Sequence, residues 1–247
     1  GVQEVECGMV IAADGVQSSI ARKAGLETGF RPADLCSCVQ YEVAGVDVDP
    51  ETMEFYFGSR FAPSGYLWVF PKGEGRANVG LGIRRKRCSE RGPLSYLNRF
   101  MAEKGFKRIE FNAGAVPVCG PIERTFTDGL LVVGDAAGQV DPLTGGGIHL
   151  AAECAKIAGE VAAEAIESGR VDGRFLSRYE MRWRKKIGKN LERSLKFRKI
   201  LDGLGDKELD ALLKSLEGKD LSSISKISLL RILKDYPSML RILRDIL

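Results

Sequence analysis

Residues Leu130 to Leu150 constrain the fold more than any other part of the chain. The run Leu130-Leu131-Val132-Val133 is short and wholly apolar, as a buried parallel strand is. Gly134-Asp135 ends it with a turn and a carboxylate in a fixed place. A proline-containing loop around Asp141 and Pro142 then leads into Gly145, Gly146 and Gly147, and an Ala-rich apolar helix is expected from Ile148 to Ile166. Each glycine costs ordered structure about 0.5–1 kcal/mol relative to alanine. A plain turn between strand and helix, the simpler alternative, does not need three of them. The arrangement suits a backbone that must approach a polar, phosphorylated group. Asp135 would accept hydrogen bonds from sugar hydroxyls. The N–H groups of Gly146, Gly147 and Ile148 would face negative charge at the helix N-terminus.

Two other stretches carry comparable information. Val10-Ile-Ala-Ala-Asp14-Gly15 reads as strand and Asp-Gly turn, followed by a helix start capped by Ser18 or Ser19. Tyr66, Trp68 and Phe70 alternate along a strand that continues into Pro71, and Gly80-Leu-Gly82 lies on the expected return strand. Aromatic residues at period two are often an ordinary core face. Here the glycines favour a cavity wall, since bare positions leave room for a long apolar ligand against the opposing rings.

In these motifs the chain resembles the p-hydroxybenzoate-hydroxylase-like FAD flavoproteins, and the Tyr66–Pro71 and Gly80–Gly82 pattern narrows the resemblance to the geranylgeranyl reductase family. The resemblance runs from Val10 through the C-terminal helices. It implies an α/β FAD-binding fold, with α+β character in the substrate part. It also implies reduction of isoprenoid double bonds in archaeal geranylgeranyl phospholipids by hydride from reduced flavin. Asp14, Gly134, Asp135, Gly146, Gly147 and Ile148 would then bind FAD, and Tyr66, Trp68, Phe70, Pro71, Gly80 and Gly82 the prenyl chain. NAD(P)H or ferredoxin would donate the electrons, the latter as a partner protein. The family's G-x-G-x-x-G loop is absent; Gly73-Glu-Gly75-Arg-Ala-Asn78 lacks the last glycine and the right context. The chain is therefore expected to be the C-terminal part of a longer, N-terminally truncated reductase. A flavin monooxygenase or halogenase of the same superfamily, and a non-catalytic lipid-binding half of a split protein, stand as alternatives.

Composition adds limits. The 247 residues carry a net charge of +4 and a single histidine, His149, so zinc-ligand spacing is lacking and no metal is expected. His149, at the expected helix start, reads as a packing or surface residue rather than an acid, and Asp141 reads as a turn or capping group. Cys36-Ser-Cys38 should place both thiols on one strand face as a reduced pair; the other cysteines, including Cys88, are scattered. No run approaches the ~20 apolar residues of a membrane span.

Four segments are expected: 1–33 and 113–168 as parts of one FAD-binding domain, 34–112 as an antiparallel β substrate domain, and 169–247 as a C-terminal helical domain. Four β-rich runs, 36–43, 53–57, 65–70 and 77–83, follow one another without helices, which implies antiparallel pairing. A helix is expected over 94–104 and a strand over 113–118. Between Arg178 and Lys199 the chain is strongly basic, answered mainly by Glu180 and Glu192. Trp183, Ile187, Leu191 and Leu195 make one apolar stripe on it. With a prenyl lipid as the implied substrate, this helix and the short Leu/Ile-rich helices after Leu209 suggest a cytoplasmic protein peripheral on an anionic membrane surface. Nothing supports nucleic-acid binding.

Overall fold

The two short apolar runs with Asp-Gly or Gly-Asp ends become neighbouring parallel strands. In the computed structural model, which describes residues 4–84 and 92–218, β1 (Val10–Ala12) pairs in parallel with β8 (Leu130–Val132), Val10 opposite Leu130 and Ala12 opposite Val132. Strand β7 (Phe126–Thr127) joins β8 from the other side, antiparallel. Both parallel strands point their carboxyl ends, and hence Asp14 and Asp135, toward the same end of the sheet. This is where ligands bind in open α/β sheets.

Helix α1 (Ser19–Lys23) follows the first of these turns and α3 (Ile148–Glu167) the second. Helix α4 (Gly173–Trp183) packs against α3, and a π-turn at Arg184–Gly188 leads into α5 (Lys189–Leu201). The wider turn keeps Trp183, Ile187 and Leu191 on one side. All three are buried with Leu131, Cys154, Ile157, Ala158 and Tyr179 in one apolar core.

That packing makes the stripe core, so the expected membrane attachment through this helix would rest on its charge alone. Much of that charge is already answered by protein: Arg182 grips Glu164 at 2.7 and 2.9 Å, Lys186 pairs with Glu153, and Arg184 pairs with Glu180 at 3.1 Å. The helical region also forms no body of its own. The chain divides into one unit of Gly1–Leu35 with Ala115–Leu195 and a second of Cys36–Gly114 with Lys196–Leu247. Residues 169–195 belong to the first because Phe175, Leu176, Tyr179 and Trp183 complete its core.

The second unit is built on a sheet in the order β3-β4-β5-β2-β6. Its strands are β2 (Leu35–Ala44), β3 (Glu54–Tyr56), β4 (Tyr66–Gly73), β5 (Arg76–Arg84) and β6 (Lys107–Pro117). The β2–β5, β3–β4 and β4–β5 pairs are antiparallel, as runs of strands without intervening helices require. One face, made by Val39, Val43, Leu67, Val69, Val79, Leu81 and Ile83, is buried with Tyr96, Leu97, Phe100 and Met101 of α2 (Pro93–Lys104). Each such side chain contributes roughly 1.5–3 kcal/mol on burial. A last helix, α6 (Asp206–Leu216), is tied to this unit by Asp206, which accepts the Ser59 N–H at 2.9 Å. Cys88 and the amphipathic helices expected beyond residue 218 lie outside the described residues. No described helix is long and apolar enough to cross a membrane.

Candidate functional site

The Gly-Asp turn after β8 is held from below by a buried polar chain. Gly134, at φ 66°, donates its N–H to Gln139 Oε1 at 2.9 Å. Gln139 Nε2 donates to the Tyr179 hydroxyl at 2.9 Å, and that hydroxyl donates to the Val132 carbonyl, also at 2.9 Å. Gln139 and Tyr179 are fully buried, and burial pushes the Tyr179 phenol far above its ordinary value. Sequence reading missed both residues; the only signal was a glutamine inside an otherwise apolar, glycine-rich segment.

Asp135 emerges from this turn with a bare carboxylate. Among the described residues nothing donates a hydrogen bond to it or pairs with it, and partial burial alone raises its pKa. It faces the glycine loop: a Cβ on Gly147 would lie 3.2 Å from Asp135 Oδ1. The N–H groups of Gly147 and Ile148 at the start of α3 meet no described acceptor. The Gly146 N–H, expected to be open as well, is instead taken by the Thr144 hydroxyl at 3.1 Å. Asp141 forms the expected turn, accepting the N–H groups of Leu143 and Thr144 at 2.9 Å each, and also takes the Ser194 hydroxyl at 2.7 Å. His149 is exposed on the first turn of α3. An unpartnered carboxylate beside free N–H groups can hold both the hydroxyls and the anionic part of one ligand.

Asp14 behaves differently. Its carboxylate accepts the Ile20 N–H at 2.9 Å and the hydroxyls of Ser18 and Ser19 at 3.3 Å each. Desolvation raises its pKa, but these hydrogen bonds together outweigh it and hold the group below the ordinary value. Asp14 therefore caps α1, a task expected of Ser18 or Ser19. Ser18 cannot perform it from its left-handed conformation at φ 35°.

On the second unit, the sheet face opposite α2 is aromatic. Tyr66, Trp68 and Phe70 stand in a row on β4, with Trp68 stacked on Phe70 at 5.9 Å between centroids and 5.7 Å from Tyr66. Phe55 of β3, 45% exposed, meets Tyr66 and Phe70 at 5.6 and 5.5 Å. The row's inner neighbours Leu67 and Val69 point to the α2 core, so the rings form the outer face rather than the core. Pro71 has the parity of Leu67 and Val69 and pairs with buried Ala77, which removes it from the aromatic wall.

The glycines of β5 serve the ring rather than a void. Gly80 lies opposite Trp68, and a Cβ there would sit 2.5 Å from the indole and 2.7 Å from the Val39 carbonyl oxygen. The indole lies across the strand and donates its N–H to Gln40 Oε1 at 3.1 Å. A Cβ on Gly82 would meet the sulfurs of Cys36 and Cys38 at 2.8 and 3.0 Å. Both thiols are free and on the aromatic face; their mutual hydrogen bond raises the Cys36 thiol and lowers that of Cys38. No cluster of three metal-ligating side chains occurs among the described residues.

Comparison with known proteins places these features. Residues 34–116, nearly the whole aromatic sheet, match the geranylgeranyl reductase catalytic domain. All of the chain is 98% identical to 64% of digeranylgeranylglycerophospholipid reductase 2 of Methanothermobacter thermautotrophicus. It is 48% identical to the Methanocaldococcus jannaschii digeranylgeranylglycerophospholipid reductase, over 98% of this chain and 63% of that protein. A geranylgeranyl bacteriochlorophyll reductase-like protein from Thermoplasma acidophilum has the same fold, with a TM-score of 0.87 and 36% identity over 97% of this chain and 62% of that one. A flavin-dependent brominase shares the fold at a TM-score of 0.63 and 16% identity, over 95% of this chain and 64% of that one. The chain thus spans a little under two thirds of these curated relatives, and it belongs to the geranylgeranyl reductase family.

Proposed function

We propose that this chain is the larger part of an FAD-dependent reductase that saturates the isoprenoid double bonds of geranylgeranyl phospholipids. The observation that carries the reading is the bare Asp135 carboxylate facing Gly147, with open N–H groups at the start of α3. FAD fits this arrangement, since it has ribityl hydroxyls to give to Asp135 and a ring edge that gains electron density for the N–H groups of Gly147 and Ile148 to face. Gly147 lets them come close, because any side chain there would fill the cradle. When bound, the flavin supplies the hydride.

This chain's own residues hold and orient. Gln139 and Tyr179 fix the turn that presents Asp135. Tyr66, Trp68, Phe70 and Phe55 offer an apolar wall for a prenyl chain, set at its depth by Gly80. The reducing equivalents would come from NAD(P)H or a ferredoxin. The lipid is met at a cytoplasmic membrane surface, because its tails reside in the bilayer.

The test uses the protein at the full length of its curated relatives. Asp135→Ala lowers FAD affinity by the ~1.5–3 kcal/mol of a charge-assisted hydrogen bond, about ten- to 150-fold. Trp68→Ala leaves flavin bound and raises KM for long prenyl substrates. Unchanged flavin affinity in Asp135→Ala would refute the assignment.

A further inference from the structure

Two nucleophilic groups on the aromatic face take no part in holding flavin. Cys36 and Cys38 stand two residues apart on β2 and point the same way. Both are free thiols and half-buried, so a small solute can reach them. The Cys38 sulfur leans back toward Cys36, 3.7 Å from that residue's carbonyl oxygen, and the two sulfurs share a hydrogen bond. Gly82 lies opposite Cys38 in the β2–β5 ladder, and a Cβ there would fall 2.8 Å from the Cys36 sulfur and 3.0 Å from the Cys38 sulfur. The sulfurs therefore converge on one spot, and the missing side chain of Gly82 leaves them room.

The shared hydrogen bond gives the two thiols different characters. It holds the proton on Cys36, whose pKa it raises, and it lowers that of Cys38 against the opposing effect of burial. The thiolate is the nucleophile in thiol chemistry, so Cys38 is suited to attack and Cys36 to resolve. The backbone sets how firmly a bond between them would hold. β2 is an interior strand, between β5 and β6, which fixes the Cα spacing of the pair at two strand steps, about 6.6–6.8 Å. Disulfides span Cα separations up to roughly 6.8 Å, so a bridge here would lie at the limit, and strained bridges are the readily reduced ones.

We propose that Cys36 and Cys38 form a redox-active dithiol site, which a small hydroperoxide oxidises reversibly to a disulfide lying over Gly82. The Cys38 thiolate attacks one peroxide oxygen, the O–O bond breaks, and the departing oxygen leaves as water once it takes up a proton. The Cys36 sulfur then attacks the sulfenic sulfur; the S–O bond breaks, and the Cys36 proton leaves with the hydroxyl as a second water. Each sulfur is oxidised by one electron and the peroxide is reduced. The Trp68 indole would lie 4.0 Å from a Cβ on Gly82, so the state of the pair is felt at the aromatic row. None of this depends on where flavin binds.

Peptide mapping of the protein at the full length of its curated relatives tests the site. The tryptic peptide that follows Lys23 and ends at Arg60 carries these two cysteines and no other. After hydrogen peroxide and an alkylating block, it should appear unalkylated and lighter by two hydrogens. Dithiothreitol should restore both thiols without denaturant. Cys36→Ser should leave Cys38 as a sulfenic acid that dimedone labels, whereas Cys38→Ser should leave Cys36 a thiol that alkylates fully. If one variant does not fold, the other still decides the roles, and the reverse labelling overturns them.

Two alkylated cysteines in this peptide, under conditions that oxidise the exposed Cys7, overturn the site. So does a bridge from either cysteine to a different one, or a bridge that only denaturant makes reducible. Trp68 emission, taken as the difference between the unaltered protein and its Trp68→Phe variant, should fall on oxidation and recover on reduction, because a disulfide quenches a neighbouring indole. An unchanged difference overturns the placement of the bridge over Gly82.

Discussion

Replacing Gln139 by leucine tests whether the turn that presents Asp135 is held as described. Leucine roughly keeps the volume and removes both hydrogen-bonding groups. The Gly134 N–H, which now donates to Gln139 at 2.9 Å, loses its acceptor inside a fully buried environment. An orphaned buried donor costs about 1–3 kcal/mol. The Tyr179 hydroxyl keeps the Val132 carbonyl and loses the Gln139 donor, a further ~0.5–1.5 kcal/mol. The expected loss is therefore about 2–4 kcal/mol, read in the unit that contains β8 and α4. The chain has two tryptophans, Trp183 buried in that unit and Trp68 in the other, so a Trp68→Phe background makes urea unfolding report on the right core. With a urea dependence of ~1–3 kcal/mol per molar, the midpoint should fall by roughly 1–2 M. Tyr179→Phe should destabilise as well, and the double variant should lose less than the sum, because both substitutions break one chain of bonds. A midpoint within 0.3 M (roughly 0.6 kcal/mol) of the parent, or strictly additive losses, would show that the turn does not depend on this network.

Asp135→Asn should stabilise the flavin-free chain at neutral pH. Burial raises the native pKa of Asp135 above its unfolded value, so ionisation is harder in the folded state, and stability falls as pH rises through that interval. The gain in the variant is full above the native pKa and vanishes in acid, where both proteins are neutral at this position; a gain independent of pH between 3 and 7 contradicts the reasoning. Gly80→Ala should displace the Trp68 indole, which a Cβ would approach to 2.5 Å, or push on the Val39 carbonyl at 2.7 Å. The expected cost is about 1–3 kcal/mol with a shift in Trp68 emission, and an unshifted spectrum at full stability would mean the indole does not lie across the strand.

What the sequence made legible was local. The apolar run before Gly134, the helix from Ile148 and the alternation of Tyr66, Trp68 and Phe70 all appear in the structure, because strand and helix periods and glycine conformations are set by neighbours in the chain. What it hid was the identity of the surface that each element meets. An amphipathic stripe such as Trp183, Ile187 and Leu191 announces an apolar partner without saying whether that is lipid or protein. The answer lay in Cys154, Ile157 and Ala158 on α3. The bare positions Gly80 and Gly82 announce a bulky neighbour, and the neighbours proved to be Trp68 and two thiols of the same sheet rather than a ligand alone.

The sharpest case is the pair of aspartates at the ends of β1 and β8. Both follow a short apolar strand beside a glycine, and by motif they look equivalent. After Asp14 a helix begins at Ser19, close enough for the carboxylate to fold onto the Ile20 N–H and the two serine hydroxyls, so the charge is spent on the protein. After Asp135 the long helix is delayed to Ile148 by a loop whose turn is closed by a different acid, Asp141. Two of the nearby donors are used elsewhere, the Gly146 N–H by Thr144 and the Gly134 N–H by Gln139, and the open N–H groups of Gly147 and Ile148 make no hydrogen bond to Asp135. A carboxylate left bare in a place that penalises its charge is what the proposed ligand would complete. The spacing from acid to helix start, together with a second acid in between, is therefore the feature that separates the capping Asp14 from the unpartnered Asp135 in this chain.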